Sequence, residues 1–220
     1  MNMVLNFLSL LTENNNREWF NDNKELYKEA LGEYEVAVEQ LIAAVGQFDE
    51  QVRFLSPKEC IFRIYKDTRF SKNKEPYKTN MGAYIARGGR KSRFSGYYIH
   101  VEPGKSFFSG GIYCPEPAVL YRVREDIDLY YDDLLAIVNK PSFKAYFPEL
   151  LGEKLKTTPK GYAKDNPAAE ILKHKDLYVA RMVGNNEVLS SSYIAEAATT
   201  FKELKPFNDF LNRAIEDLNG

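Results

Sequence analysis

Between Met81 and Tyr113 the hydrophobic residues of this chain adopt the period of a strand, and this change limits the folds open to it. The clearest stretch is Tyr97–Glu102, in which Tyr97, Ile99 and Val101 point one way and Tyr98, His100 and Glu102 the other. A repeat of two puts successive side chains on opposite faces, the signature of a half-buried strand. Met81–Arg87 reads as a second strand, with Met81, Ala83 and Ile85 on one face. Ser106–Tyr113 reads as another, interrupted at Gly110-Gly111 as if by a bulge. Cys60–Tyr65, rich in β-branched and aromatic residues, reads as a strand ahead of these, and Leu177–Val183 as one more. Pro103-Gly104 marks a tight turn and Gly88–Ser92 a flexible hairpin tip. Connections this short favour antiparallel neighbours, because parallel ones need a long crossover.

On either side of this region the period is helical. Leu5, Leu8 and Leu11 line one side of a first helix over Val4–Leu11. Asn15, with Glu18 three residues on, resembles a capping box, and Trp19 to Val45 carries the stripe of one long amphipathic helix. Gly46, free to take positive φ, is the expected stop. Pro117 suits the first position of a helix running through Leu120, Val123, Ile127 and Tyr130. Asp132–Val138 and Ser142–Phe147 extend the helical region, Leu155–Pro167 reads as loop, and Ala168–His174 as a short helix. The tail reads as helical from Ser192, restarting at Pro206 and burying Phe207, Phe210, Leu211, Ala214, Ile215 and Leu218. With no internal repeat, linker or low-complexity stretch, residues 1–220 are expected to form a single α+β domain. Its core would be a mostly antiparallel sheet of four to five strands, packed by N- and C-terminal helices.

Two cysteines, Cys60 and Cys114, are too few for a disulfide framework and suit a reducing compartment. The apolar start, Met1–Leu11, has no basic leader region and is far short of the roughly 20 residues that span a bilayer. A cytoplasmic protein with no membrane partner is the expectation. The net charge of −1 is unevenly spread. Arg63–Arg93 holds ten basic and two acidic residues, a net of +8, which leaves −9 for the rest of the chain. Such a local field attracts anions whatever the overall charge.

Within that segment Arg63, Arg69, Lys72 and Lys78 are the candidate ligands for an anion. Guanidinium groups read a phosphate or carboxylate bidentately and ammonium groups add point charges. Tyr77 would supply a hydroxyl, and Asp67 and His100 are the candidate acid–base residues. Glu102, two residues beyond His100 on the same face, would set its tautomer. The plain structural alternatives are a salt-bridge network in a solvated basic loop and a hydrogen-bonded packing histidine. A nucleophilic Cys114 would need a base, whereas a small inert thiol is far commoner. Gly88–Arg93 lacks the spacing and following helix of a phosphate loop. No metal-binding motif is present, and no cofactor is implied. The function expected is binding, or binding and turnover, of a phosphorylated or otherwise anionic small molecule. The alternatives are a nucleic-acid-binding module that uses the basic 63–93 segment with the Gly88–Arg93 tip, and a structural or protein-interaction domain.

Several segments together carry a family resemblance. These are Asn14-Asn-Asn-Arg-Glu-Trp-Phe20, Phe62-Arg-Ile-Tyr-Lys-Asp-Thr-Arg-Phe-Ser71, Lys74-Glu-Pro-Tyr-Lys-Thr79, Gly96-Tyr-Tyr-Ile-His100, Gly110-Gly-Ile-Tyr-Cys-Pro115 and Leu155-Lys-Thr-Thr-Pro-Lys-Gly-Tyr162. In them the chain resembles the domain-of-unknown-function 2461 family over nearly its whole length. Tyr113 stands where many members carry Trp, a change that keeps the ring. The resemblance implies one compact α+β domain and supplies no substrate, cofactor or catalytic residue.

Overall fold

A computed structural model of the chain describes residues 1–67, 69 and 74–216. Lys72 and Leu218 lie outside the described residues. The elements run α1 (Asn2–Glu13), α2 (Arg17–Asp22), α3 (Lys24–Val45), α4 (Pro57–Cys60), β1 (Met81–Ile85), β2 (Gly96–Val101) and β3 (Ser106–Ile112). There follow α5 (Pro117–Leu129), α6 (Tyr131–Val138), α7 (Pro141–Tyr146), α8 (Ala169–Leu172), β4 (Leu177–Val183), α9 (Asn185–Val188) and α10 (Tyr193–Glu216). The four strands form one antiparallel sheet in the order β1-β2-β3-β4, an α+β arrangement with helices at both ends of the chain. The chain groups into two compact units. One is Met1–Arg90 with Tyr98–Phe108 and Met182–Thr199; the other is Lys91–Tyr97 with Ser109–Arg181 and Thr200–Gly220.

In the first unit, α1 buries Val4, Phe7, Leu8 and Leu11, and the Glu33 carboxylate of α3 accepts from the Asn2 and Val4 N–H groups at its start. The long helix expected from residue 19 is two helices. Asn23 breaks it, its side-chain amide and its backbone N–H both turning back to the Trp19 carbonyl. The cap of α2 is Asn16, which accepts from Trp19 N–H at 2.9 Å, and not Asn15. Asn15 instead pairs both ways with the Tyr77 backbone, donating to its carbonyl and accepting from its N–H. Helix α3 buries Ala30, Tyr34, Val38, Leu41 and Val45, and the Tyr34 hydroxyl reaches the Ile99 carbonyl of β2. Gly46 ends α3 at φ −60°, in the helical region. Its missing side chain serves proximity, since a Cβ there would stand 3.1 Å from Arg53 Cα.

The expected strand over Cys60–Tyr65 is replaced by the short helix α4 and two isolated bridges, Ile61 with Ala83 and Tyr65 with Tyr77. Ser56-Pro57-Lys58-Glu59, a capping box with Pro at the first helical position, takes Cys60 into α4, while residues 61–65 pair with residues 77–83 only at the bridges. The Gly88–Ser92 tip is likewise more structured than expected. It contains a 3-10 turn, Gly89–Lys91, in which Gly89 (φ +76°) lies against the Glu59 backbone and the Arg90 guanidinium donates to the Lys58 carbonyl. Between β2 and β3, Lys105 N–H returns to the Glu102 carbonyl around Pro103 and Gly104 (φ +74°), the features of a type II turn.

In the second unit, α10 fastens the edge of β2 with amides. Asn208 accepts from the Ser95 hydroxyl at 2.6 Å and donates to the Gly96 carbonyl at 3.0 Å, while Asn212 pairs both ways with the Ser95 backbone. Phe201 packs on Tyr97, and Phe207 on Phe143. Pro206 lies inside α10 without ending it, where a restart was expected. At Gly111 (φ +120°) a Cβ would come within 2.6 Å of Tyr178 Cα, which explains the glycine in mid-strand. Asn208 is 2% exposed, so Asn208→Ala strands two buried polar groups. The expected loss is about 2–4 kcal/mol in urea unfolding; a loss within experimental error would show that the amide clamp does not hold the strand.

Candidate functional site

Burial of Ile99 and Val101 turns Tyr98, His100 and Glu102 to the other side of β2. In the first unit these three side chains form one hydrogen-bonded row. The Tyr98 hydroxyl lies 3.0 Å from His100 Nδ1, and His100 Nε2 lies 3.2 Å from Glu102 Oε2. Thr79 donates its hydroxyl to the second carboxylate oxygen, Glu102 Oε1, at 2.9 Å. The Asn80 side-chain nitrogen stands 3.4 Å from His100 Nδ1. Phe107 of β3 stacks on the imidazole, with centroids 4.4 Å apart and planes inclined by 13°.

Thr79 and Asn80 reach this row because the pairing of residues 61–66 with residues 76–83 is irregular. Phe62 N–H bonds the Gly82 carbonyl and Lys78 N–H bonds the Ile64 carbonyl. Two steps along one segment therefore match four along the other, and Thr79 and Asn80 are the surplus residues. Such a bulge re-aims side chains. It also places Phe62 against Tyr98 in an edge-to-face contact, while Ile64 stays buried. Gly82 makes the remaining room. A Cβ there would stand 2.6 Å from the Tyr98 hydroxyl oxygen.

The partners of His100 determine its tautomer. The Glu102 carboxylate can only accept, so the ring proton sits on Nε2; the Asn80 amide nitrogen can only donate, so Nδ1 is bare. That leaves Tyr98 to donate its hydroxyl proton to Nδ1. Burial lowers the His100 pKa, and Glu102 only partly offsets this. The imidazole is therefore neutral at pH 7, and its contact with Glu102 is a hydrogen bond and not an ion pair.

The cationic candidates lie on the neighbouring bridge-paired segments. Lys78 extends over the Phe62 ring, its Nζ 5.6 Å from the centroid. Burial, and then the nearby charge of Arg63, lower its pKa. Arg63 itself is exposed. Asp67 is closed by Arg69, whose Nε and Nη2 reach the two carboxylate oxygens at 3.0 and 2.7 Å. The hydrogen bonds from Arg69 hold the Asp67 carboxyl down at about 2. Tyr77 is 4% exposed and stacks on Phe20 at 4.0 Å, inside the aromatic packing beneath α2. The structure thus joins Asp67 to Arg69 and His100 to Glu102 by hydrogen bonds, and sets Lys78 over Phe62. Thr79, Asn80, Gly82 and Phe107 complete the row without having been singled out from the sequence. Only the Tyr98–His100–Glu102 spacing signals it there.

The family model described as "Conserved hypothetical protein (DUF2461)" matches residues 3–210. The chain belongs to the DUF2461 family. No curated protein and no solved structure gives a significant match.

The remaining chemistry-bearing groups of this DUF2461 chain are placed otherwise. Burial pushes the Cys60 thiol up to about 12, so it is no thiolate at neutral pH. Cys114 is exposed in the second unit, its backbone N–H given to Asp176 at 2.7 Å. A cavity of about 400 Å³ in that unit is lined by Asp128, Tyr130, Asp132, Asp133 and Asn166, an acidic wall that repels anions. Among the described residues no helix is long and apolar enough to cross a membrane.

Because His100 binds its proton less readily when folded, its contribution to stability is present above the unfolded value of about 6.5 and is lost as pH falls through the window below it. His174, the other histidine, is lowered by burial in the same direction. NMR titration of the two imidazoles should therefore give both midpoints below about 6.5, and His100→Gln should reduce the fall in Tm between pH 7 and 5. A His100 midpoint at or above the ordinary value would contradict this site.

Proposed function

We propose that the outer face of β1 and β2 in the first unit binds a phosphorylated or otherwise anionic small molecule. The observation that carries this reading is the pair Arg63 and Lys78. Arg63 is exposed beside Phe62 in sequence and Lys78 is half-buried with its Nζ over the Phe62 ring, and among the described residues neither makes an ion pair. Two cations without a carboxylate partner on one surface leave their charge for an anion to neutralise. Phe62 and Tyr98 add ring faces beside them. Arg69 is matched by Asp67, and that pairing removes Asp67 from the acid–base candidates of this reading. His100 remains the acid–base candidate. Lys72 is a further possible charge from the sequence and lies outside the described residues. Support for a small ligand over a nucleic-acid backbone comes from Arg90, whose guanidinium is spent on the Lys58 carbonyl rather than carried on a loose basic tip.

The test is a thermal-shift titration at low salt with pyrophosphate as the probe. At 100 times its Kd a ligand adds about 2.7 kcal/mol, which for a chain of this size raises Tm by roughly 5–10 °C. Wild type should show that rise and Lys78→Ala or Arg63→Ala should lose most of it. Equal affinity in both variants would remove the two residues from the site. A rise with DNA or RNA alone, erased by salt, would assign the surface to nucleic acid instead.

A further inference from the structure

We propose that Tyr98 is a catalytic acid–base residue, its phenol switched by His100 and Glu102. This goes beyond binding, and its substrate class, an anionic small molecule bearing a transferable proton, rests on the reading above. Three features of the geometry carry it. The hydroxyl of Tyr98 donates to a histidine nitrogen that has only acceptor capacity, and the opposite nitrogen faces a carboxylate at 3.2 Å. That carboxylate is itself fixed from behind by Thr79, and the imidazole plane is fixed by Phe107. Gly82 admits the hydroxyl to this position, since any other residue's Cβ would stand 2.6 Å from it.

A row made only for packing would not need every member oriented to relay a proton. Here the order is hydroxyl, bare nitrogen, protonated nitrogen, carboxylate, the arrangement in which a base activates a weak nucleophile or acid and is oriented by a third group. Acting as base, Tyr98 passes its hydroxyl proton to His100 Nδ1, leaving a phenolate and an imidazolium whose charge Glu102 offsets. The phenolate oxygen then takes a proton from the substrate; the new O–H bond forms as the substrate's X–H bond breaks, and the electron pair stays on X. One proton has moved from substrate to imidazole, and the reverse sequence delivers it to product. Lys78 and Arg63 hold the substrate's anionic group and stabilise the negative charge left on X. No oxidant or reductant enters. Tyr98 is the catalytic residue; His100, Glu102 and Thr79 act through it as positioning residues, and Gly82 provides its space.

The experiment measures phenol nucleophilicity directly, with benzenesulfonyl fluoride as a neutral probe and peptide mass spectrometry to locate the sulfonylated tyrosines. In the full-length protein Tyr98, although half-buried, should react about tenfold or more faster than Tyr121, which is 60% exposed. His100→Gln and, separately, Glu102→Gln should each remove that advantage while circular dichroism and Tm show a folded chain. If one variant fails to fold, Gly82→Ala tests the same row by displacing the Tyr98 hydroxyl, and should slow its labelling as well. A Tyr98 rate no higher than that of Tyr121, or one unchanged in the folded variants, overturns the proposal. Pyrophosphate binding separates the two ideas. Binding with an unreactive Tyr98 overturns the acid–base role and leaves the anion reading intact. A reactive, His100-dependent Tyr98 without pyrophosphate binding supports the relay and removes the anionic substrate class.

Discussion

The burial of Tyr97, Ile99 and Val101 along β2 is the constraint on which the rest of the site depends. Each is 1% exposed or less, and fully burying such side chains contributes roughly 1.5–3 kcal/mol apiece. A slip of one residue in the strand would bring all three to the surface and draw Tyr98, His100 and Glu102 into the core. The apolar side thus holds the polar side in place. Two ends secure the arrangement: the type II turn at Pro103-Gly104 beyond Glu102, and the Asn208 and Asn212 amides at Ser95 and Gly96.

Upon that register, the bulge at Thr79 and Asn80 turns a row of three residues into a network. Without surplus residues opposite Phe62–Ile64, Glu102 would lack its second partner and His100 Nδ1 its amide neighbour. Gly82 acts in the same place by omission. The three devices are local, yet each fixes an atom of the row: Thr79 a carboxylate oxygen, Asn80 an imidazole nitrogen, Gly82 the space beside a hydroxyl. Groups held this way need little reorganisation when charge develops, which is the condition under which an acid–base group is effective.

The sequence discloses these layers unequally. The strand and the shared face of Tyr98, His100 and Glu102 are legible because a period of two is a property of one segment alone. The family is legible for the same reason, its segments being local. The bulge is not, since it exists only relative to a partner segment, so Thr79 and Asn80 pass unnoticed. Asn15 and Asn16 are equally good caps by type, and only the tertiary pairing of Asn15 with Tyr77 decides between them. Tyr77 reads as an available hydroxyl because composition cannot reveal that Phe20 covers it. Cys60–Tyr65 has strand composition, but the Ser56–Glu59 capping box takes Cys60 into a helix and the surplus residues opposite reduce the rest to isolated bridges.

The central claim is that His100 is held neutral, with its proton on Nε2 and Tyr98 donating to Nδ1. Nitrogen-15 NMR of the imidazole at neutral pH tests it most directly, since the chain has only two histidines to assign. The account predicts a protonated-type shift at Nε2, an unprotonated-type shift at Nδ1, and a change at Nδ1 in Tyr98→Phe as its hydrogen bond is lost. A proton on Nδ1, a pair of averaged shifts, or an Nδ1 signal indifferent to Tyr98→Phe would contradict it.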